Sequence, residues 1–119
     1  MIGEFGMQFV HAPRYRGPLA NFTHHASAGT VGDGPFMEFW LQIESEKIRE
    51  AAFHSYGCPS SLAAGGTLCC LVTGREVERA LALTDTELVT VIGGLPEGKL
   101  GLAKLAIQGF RLAVGTSCS

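Results

Sequence analysis

Cys58 has the sequence context of a reactive thiol. It follows Gly57, which breaks an alternating segment, and precedes Pro59, a residue that suits the first turn of a helix. The unpaired N–H groups and the dipole at a helix start favour a thiolate and lower the pKa of a thiol there. This context predicts a persulfide acceptor or a single metal ligand. A second interpretation stays open, because cysteine is also a common small buried hydrophobe.

The other three cysteines show no metal-binding or redox spacing. They lie at positions 69, 70 and 118, and the chain has no CxxC pair. A disulfide between the neighbours Cys69 and Cys70 would be strained, so free thiols in a reducing compartment are expected. Cys69 and Cys70 fall among leucines in a predicted helix, where a structural role is expected. Cys118 falls in a Gly/Ser/Thr-rich tail, which is expected to be flexible, and the roles of these three stay open.

Histidine could add nitrogen ligands to the thiolate. His54 precedes Cys58 by four residues in an alternating segment, so its side chain is expected to start on the same face as Cys58. A neighbouring strand carries His24 and His25. Because zinc and iron–sulfur clusters are usually held by about four ligands, we take all four residues as candidate metal or cluster ligands. Histidines on strands and loops are more often surface or hydrogen-bonded residues, which is the alternative for each of them.

The bulk composition describes one small soluble domain. The chain has 119 residues, 46% of them apolar, and a net charge of −2. No segment approaches the ~18 consecutive apolar residues of a membrane span, and no leader is visible, so a cytoplasmic location is expected. Mixed charges do not suit a phosphate backbone, which argues against nucleic acid as a partner. No nucleophile–base pair or cofactor fingerprint is visible, so an enzyme is not expected.

The chain divides into a short N-terminal extension and one domain. Residues 1–6 have the look of a vector-derived extension, with Met7 as the start of a single domain at 7–119. The N-terminal segment at 11–18 is expected to include a short helix that ends near Pro13. A Gly-rich loop is predicted at 28–35. Strands are predicted at 20–27, 36–44 and 48–56, and helices at 59–74, 75–83, 85–92 and 96–114.

These elements predict an α+β fold. About three antiparallel strands come first, and the helices that follow are expected to form a block packed on one face of the sheet. Ser45 to Lys47 is a short turn, which pairs its two flanking strands antiparallel. Trp40 falls on the polar face of its strand, where a helix is expected to cover it.

Five strings occur in a fixed order along the chain: HAPRYRG at 11–17, LQI at 41–43, FHSYGCPSS at 53–61, GREV at 74–77 and LPEGK at 95–99. Together they resemble the "NPRNxG", "LQI", "FxxxGC", "GKxxxEAL" and "LPPVK" strings of the IscU/NifU N-terminal iron–sulfur scaffold family. The resemblance covers most of residues 10–114. It implies an IscU/SufE-like fold and a role in iron–sulfur cluster assembly, with Cys58 at the family's second cluster cysteine.

The chain departs from that family at its other ligands. Counting from the LQI string, the family's first cysteine and its Asp fall at about Pro35 and Met37. The third cysteine and the His before it fall at Leu102 and Gly101. The resemblance thus implies an iron–sulfur cluster or zinc that is held weakly, with ligands from a partner, or not at all.

The resemblance also implies partners. A cysteine desulfurase is expected to supply sulfur, and a DnaK-type chaperone to contact Leu95, Pro96 and Lys99 in the LPPVK-like string. A plain loop before a helix is the alternative for that string. Two alternatives to the scaffold function stay open: a SufE-like sulfur-transfer accessory that carries a persulfide on one cysteine, and a binding module without metal or sulfur chemistry.

Overall fold

The computed structural model describes residues 1–12, 14–29, 34–56 and 58–117, without the side chain of Tyr56. Its elements are α1 (Glu4–His11), β1 (His24–Gly29), β2 (Phe36–Glu44), β3 (Lys47–Tyr56), α2 (Pro59–Val72), α3 (Val77–Leu81), α4 (Asp85–Ile92) and α5 (Leu100–Val114). The three strands form one antiparallel sheet in the order β1-β2-β3. Helices α2 and α5 pack on it. The predicted α+β fold is confirmed.

A two-residue turn joins β2 to β3. Ser45 and Glu46 have φ angles of 53° and 63°, the pair of left-handed residues that matches the right-handed twist of a hairpin. Glu44 then pairs with Lys47, and the ladder continues to Phe36 opposite Tyr56. The register places Cys58 two residues beyond the end of β3, next to the start of β2.

The inner face of β2 supplies much of the core. Met37, Phe39 and Leu41 alternate along the strand and are fully buried, as the period of two predicts. Helix α2 lies close to this layer because it is rich in small residues. A Cβ added at Gly65 would overlap the ring of Phe53, so the glycine is what permits this close approach.

Trp40 is covered by the N-terminal segment and not by a helix, so that prediction is wrong. The backbone N–H of Gly17 donates to the carbonyl of Phe53 (2.8 Å), which fixes the segment along the free edge of β3. Gly17 then lies on Trp40, since a Cβ there would be 2.5 Å from the indole ring. His25 also stacks on the indole, with ring centroids 5.2 Å apart.

The starts of the first and last helices differ most from the prediction. The last helix begins at Leu100 and not at Pro96, because residues 96–99 form a turn in which the Lys99 N–H donates to the Pro96 carbonyl (2.9 Å). Helix α1 begins at Glu4, inside the residues predicted to be an extension. Its Gly6 packs on Ile92 of α4. These residues belong to the packed fold, and their origin stays a prediction.

Two predicted loops reach beyond the described residues. In the Gly-rich segment 28–35, residues 28 and 29 belong to β1, and 30–33 lie outside the described part. In the tail, Ser117 forms an isolated bridge with His24, whereas Cys118 and the last residue are also outside it. Within the described ranges, no helix is long and apolar enough to cross a membrane.

Candidate functional site

Cys58 is the N-cap residue of helix α2, and Pro59 is the first helical residue. The Cys58 carbonyl accepts hydrogen bonds from the Ser61 backbone N–H (3.0 Å) and from the Ser61 hydroxyl (2.7 Å). The same hydroxyl oxygen lies 3.3 Å from that of Ser55. These contacts tie the helix start to the end of β3, and the predicted helix-start position of Cys58 is confirmed.

Cys58 lines a cleft of about 630 Å³ between the start of α2, the start of α5 and the residues just before β2. We call it the Cys58 cleft. Its polar side chains are those of Cys58, Ser61 and Lys99, and its apolar walls are formed by Pro35, Leu102 and Leu105. Three glycines complete the lining, and a Cβ at any of them would meet nothing within 4 Å: Gly34, Gly98 and Gly101. The cleft is therefore open and mostly apolar, with one thiol.

The positions that the resemblance assigns to cluster ligands meet in this cleft. Pro35, Gly101 and Leu102 all line it together with Cys58. Met37 does not, because it is fully buried on the inner face of β2. None of the three positions beside Cys58 carries a thiolate, imidazole or carboxylate. The cleft thus has the arrangement of a ligand site, with a single donor of the predicted set in its lining.

The electrostatics around Cys58 favour its thiolate. Partial burial raises the pKa of the thiol, while the backbone N–H groups of Ser61 and Ser60 and the Lys99 ammonium lower it. The lowering prevails, so the pKa of Cys58 lies below that of an ordinary cysteine. A thiol of this kind is more nucleophilic at neutral pH, and a better metal ligand, than a buried cysteine.

The expectation for the face of His54 is wrong. On β3 the side chain of Phe53 is buried against α2, so its neighbour His54 lies on the opposite face, at the position paired with Glu38. The strand ends at Tyr56, and its alternation cannot be extended to Cys58. His54 is accordingly not among the residues that line the Cys58 cleft.

His24 and His25 are engaged away from the cleft. The Nε2 atom of His25 lies 2.6 Å from a carboxylate oxygen of Glu38, and the Nδ1 atom of His24 lies 2.7 Å from the Thr23 hydroxyl. His24 starts β1, about 17 Å along the strand from the end nearest the cleft. In the part of the chain that the structure describes, no group of three or more His, Cys, Asp or Glu side chains could hold a metal ion.

The remaining cysteines have different environments. Cys69 is fully buried. Its burial raises its pKa, and the neighbouring Cys70 raises it further, which fits the expected structural role. Cys70 is half-buried beside Tyr15, whose pKa is raised by burial and by this cysteine. Cys118 lies outside the described residues.

The LPPVK-like string connects α4 to α5. Leu95 packs on the core and Pro96 is half-buried, whereas Lys99 is exposed at the rim of the Cys58 cleft. Sequence reasoning assigned Lys99 to a chaperone contact and missed its place beside Cys58. The sequence did contain a signal for this place, because Lys99 precedes the assumed ligand positions Gly101 and Leu102 by two and three residues.

Fold and site together define a small α+β domain with a partly exposed thiol of lowered pKa in an open cleft. The family model described as the NifU-like N terminal domain matches residues 5–116. The chain belongs to this family.

Curated relatives carry names from nitrogen fixation and iron–sulfur assembly. "Nitrogen fixation protein NifU" of Cereibacter sphaeroides is 32% identical over 96% of this chain and 47% of its own length. "Iron-sulfur cluster assembly scaffold protein IscU 1" of Archaeoglobus fulgidus is 28% identical over 72% of this chain and 58% of its own length. The chain thus spans about half the length of the first curated relatives it matches.

Solved structures show the same fold at low identity. An iron–sulfur cluster assembly scaffold protein for the SUF system from Fervidobacterium islandicum AW-1 superposes with a TM-score of 0.73 at 14% identity, covering 94% of this chain and 95% of that one. A NifU-like N-terminal domain from Brucella abortus gives 0.68 at 14% identity, over 95% and 91%. At these identities the likeness shows the shared fold alone.

Proposed function

We propose that this chain is a scaffold-like protein of iron–sulfur cluster assembly that holds iron or a cluster only with ligands from a partner. One observation carries the proposal: all but one of the ligand positions implied by the family, Met37 being the exception, surround one cleft, and Cys58 is the thiol that lines it. Relatives named as iron–sulfur cluster assembly scaffolds support it.

The donor count explains the dependence on a partner. A cluster is usually held by about four ligands, mostly thiolates, and zinc by four N, S or O donors. Cys58 supplies one. At Gly101 and Gly34 a side chain would meet open space, so the cleft has room for donors from a second protein. Without such donors, we expect iron or zinc to bind weakly.

The partners follow from the same proposal. A cysteine desulfurase would supply sulfur to the Cys58 cleft, and a DnaK-type chaperone would contact Leu95, Pro96 and Lys99. The chain itself would act as a carrier and not as an enzyme. Its place of action would be the cytoplasm.

The test is anaerobic reconstitution with ferrous iron, cysteine, a cysteine desulfurase and dithiothreitol, a dithiol whose oxidation to the disulfide reduces the persulfide sulfur to sulfide. We expect visible charge-transfer absorbance, with bound iron and sulfide, in the wild type and its loss in Cys58→Ser. Cys70→Ser is the matched control, because Cys70 is also a partly exposed thiol on α2. Iron and sulfide contents that are equal in the wild type and Cys58→Ser would contradict the proposal.

A gain of ligands tests the same geometry from the other side. The double variant Pro35→Cys/Leu102→Cys would place three thiols around the cleft. Because each added thiolate contributes to a closed tetrahedral site, we expect the double variant to retain about one zinc ion per chain. Elemental analysis would show this beside a wild type that retains far less. Zinc contents that do not rise would show that the cleft lacks the shape of a ligand site.

Mass spectrometry separates the two alternatives. A mass gain of one sulfur on Cys58 after incubation with the desulfurase, with no retained iron, would favour the SufE-like sulfur-transfer function. Normal partner binding and stability in Cys58→Ala, with neither iron nor sulfur retained in the wild type, would favour a binding module.

A further inference from the structure

The β2–β3 hairpin and helix α3 form a corner of the molecule far from the Cys58 cleft. Strand β3 has ten residues, so its hairpin end lies about 30 Å along the strand from the end nearest that cleft. The segment before α3 runs beside the hairpin, because the Ile48 N–H donates to the Arg75 carbonyl (2.9 Å). We call residues 44–48 and 74–81 the hairpin–α3 corner.

A groove of about 450 Å³ opens at this corner. Its floor is apolar and comes from β2, α3 and α5: Ile43, Val77, Leu81 and Val114. Its rim carries three exposed carboxylates: Glu46, Glu76 and Glu78. Among the described residues, no lysine or arginine lines it. We call it the acidic groove, and its floor includes Leu81, which is 37% exposed.

A second cavity, of about 430 Å³, lies beside the acidic groove. Three exposed cations line it: Lys47, Arg75 and Arg79. We call these three residues the basic cluster. Glu76 lines both cavities, so the acidic groove and the basic cluster are immediate neighbours on one surface.

The charges of this corner are not paired within the chain. Lys47 and Glu76 face each other across an isolated β-bridge, yet their side chains form no ion pair. Over the described residues, the one ion pair joins His25 to Glu38. Three carboxylates and three cations are therefore separated into two adjacent patches and remain open to solvent.

The two patches complement each other. Lysine and arginine side chains can lie with their apolar stems on an apolar floor while their charged heads reach a polar rim. Arginine also pairs with carboxylates through two parallel hydrogen bonds. Because each chain carries both patches side by side, a two-fold axis near Glu76 would place the basic cluster of each copy on the acidic groove of the other.

We propose that two copies of this chain associate through the hairpin–α3 corner, with the basic cluster of each copy in the acidic groove of the other. The association is weak and depends on concentration, because the contact is small and exposed ion pairs contribute little individually. Both Cys58 clefts stay open in such a dimer, since they lie at the other end of the sheet. The proposal goes beyond the scaffold function and needs neither iron nor sulfur.

Sedimentation velocity of the full chain from about 10 µM to about 1 mM tests the proposal. The buffer contains a reductant and no iron, so neither a disulfide nor a shared cluster can join two copies. We expect the wild type to pass from monomer to dimer over this range. At about 1 M salt, where the Debye length is about 3 Å, the dimer fraction should fall.

Two charge-reversal variants sharpen the test: Arg75→Glu/Arg79→Glu, and Glu46→Lys/Glu78→Lys. Each variant opposes like charges across the two-fold axis, so we expect its dimer dissociation constant to rise by at least about tenfold. In an equimolar mixture every reversed patch faces a complementary one. Heterodimers should then form within about threefold of the wild-type dissociation constant, and native mass spectrometry identifies them by mass. A misfolded variant could not recover in this way.

The matched control is Arg14→Glu/Lys104→Glu. It makes the same change in net charge at two exposed residues that line neither cavity and should dimerise as the wild type does. A wild type that stays monomeric at about 1 mM would overturn the proposal. Reversal variants that dimerise normally, or a mixture of folded variants that stays monomeric, would overturn it too. A failed iron–sulfur reconstitution would reject the scaffold function and leave this result standing.

Discussion

The cysteines near the two ends of helix α2 have opposite environments. At the N-terminal end Cys58 is partly exposed, and N–H groups and Lys99 lower its pKa despite partial burial. Near the C-terminal end Cys69 is fully buried, and burial raises its pKa. The helix is continuous between them. Two cysteines of one helix thus differ in exposure and in the direction of their pKa shift according to their position in it.

The glycines show the same division. In the body of α2, Cβ atoms added at Gly65 and Gly66 would overlap the rings of Phe53 and Phe9. Around the Cys58 cleft, Cβ atoms added at Gly98 and Gly101 would meet nothing. Glycine permits close packing in the first region and leaves open space in the second. Only the second region has room for a ligand or a partner's side chain.

The largest expected effect is the difference in thiol reactivity between the two ends. At about pH 7 in the native state, Cys58 should be alkylated more than about 100-fold faster than Cys69, because it is both accessible and more often a thiolate. The Cys58 rate should rise with pH to a plateau with a midpoint below that of free cysteine. Peptide-resolved mass spectrometry after timed alkylation measures both rates in one sample.

Denaturant supplies the control for that ratio. In the unfolded chain both thiols lose their environments, and the two rates should approach each other within about threefold. Similar alkylation rates for Cys58 and Cys69 in the folded protein would contradict this prediction, since the two environments would then not control the reactivity of the thiols.

Most of the fold could be predicted from the sequence, because its signals are local. The alternation of Met37, Phe39 and Leu41 identified β2, and the short turn after it fixed the pairing with β3. The start of α4 has a local signal too, because Thr84 followed three residues later by Glu87 is the pattern of a capping box. In the structure the Thr84 side chain accepts from the Glu87 N–H, and the Glu87 side chain accepts from the Thr84 N–H. The packing of the N-terminal segment on Trp40 was not predicted, because Gly17 is distant from Trp40 in sequence and has no side chain that would indicate the contact.

The site could be predicted only in part. Cys58 was found from its helix-start context, and the family strings indicated Pro35, Gly101 and Leu102, which the structure brings into one cleft. The face of His54 was misjudged, since strand alternation was extended past the end of β3, and the ligand roles of the three histidines stay predictions. The neighbourhood of Lys99 and Cys58 depends on how α5 packs against α2, a tertiary contact that no local pattern encodes.

A second prediction tests the packed body of α2 against the cleft. Gly65→Ala should destabilise the protein by about 2 kcal/mol, because overpacking against the buried Phe53 ring outweighs the better helix propensity of alanine. The matched variant Gly101→Ala lies in α5 beside open space and should stabilise by about 0.5–1 kcal/mol. Urea unfolding of both measures the contrast. Equal changes in the free energy of unfolding would mean that the packed body of α2 accommodates a methyl group as well as the cleft does.

The smallest expected effect is the pH dependence of stability due to Cys58. Its pKa is lower in the folded state than in the unfolded chain, so the folded state binds the thiol proton less tightly. The resulting stabilisation is fully present above the unfolded pKa and is lost as the pH falls through the folded pKa. The wild type should therefore gain stability relative to Cys58→Ser between about pH 6 and pH 9.5. Urea unfolding at both pH values measures it, and because every other residue is the same in both proteins, the contributions of the other groups cancel in the difference. A stability advantage of the wild type over Cys58→Ser that shrinks with rising pH would show that burial dominates the pKa of Cys58. The environments of Cys58 and Cys69 would then differ only in exposure.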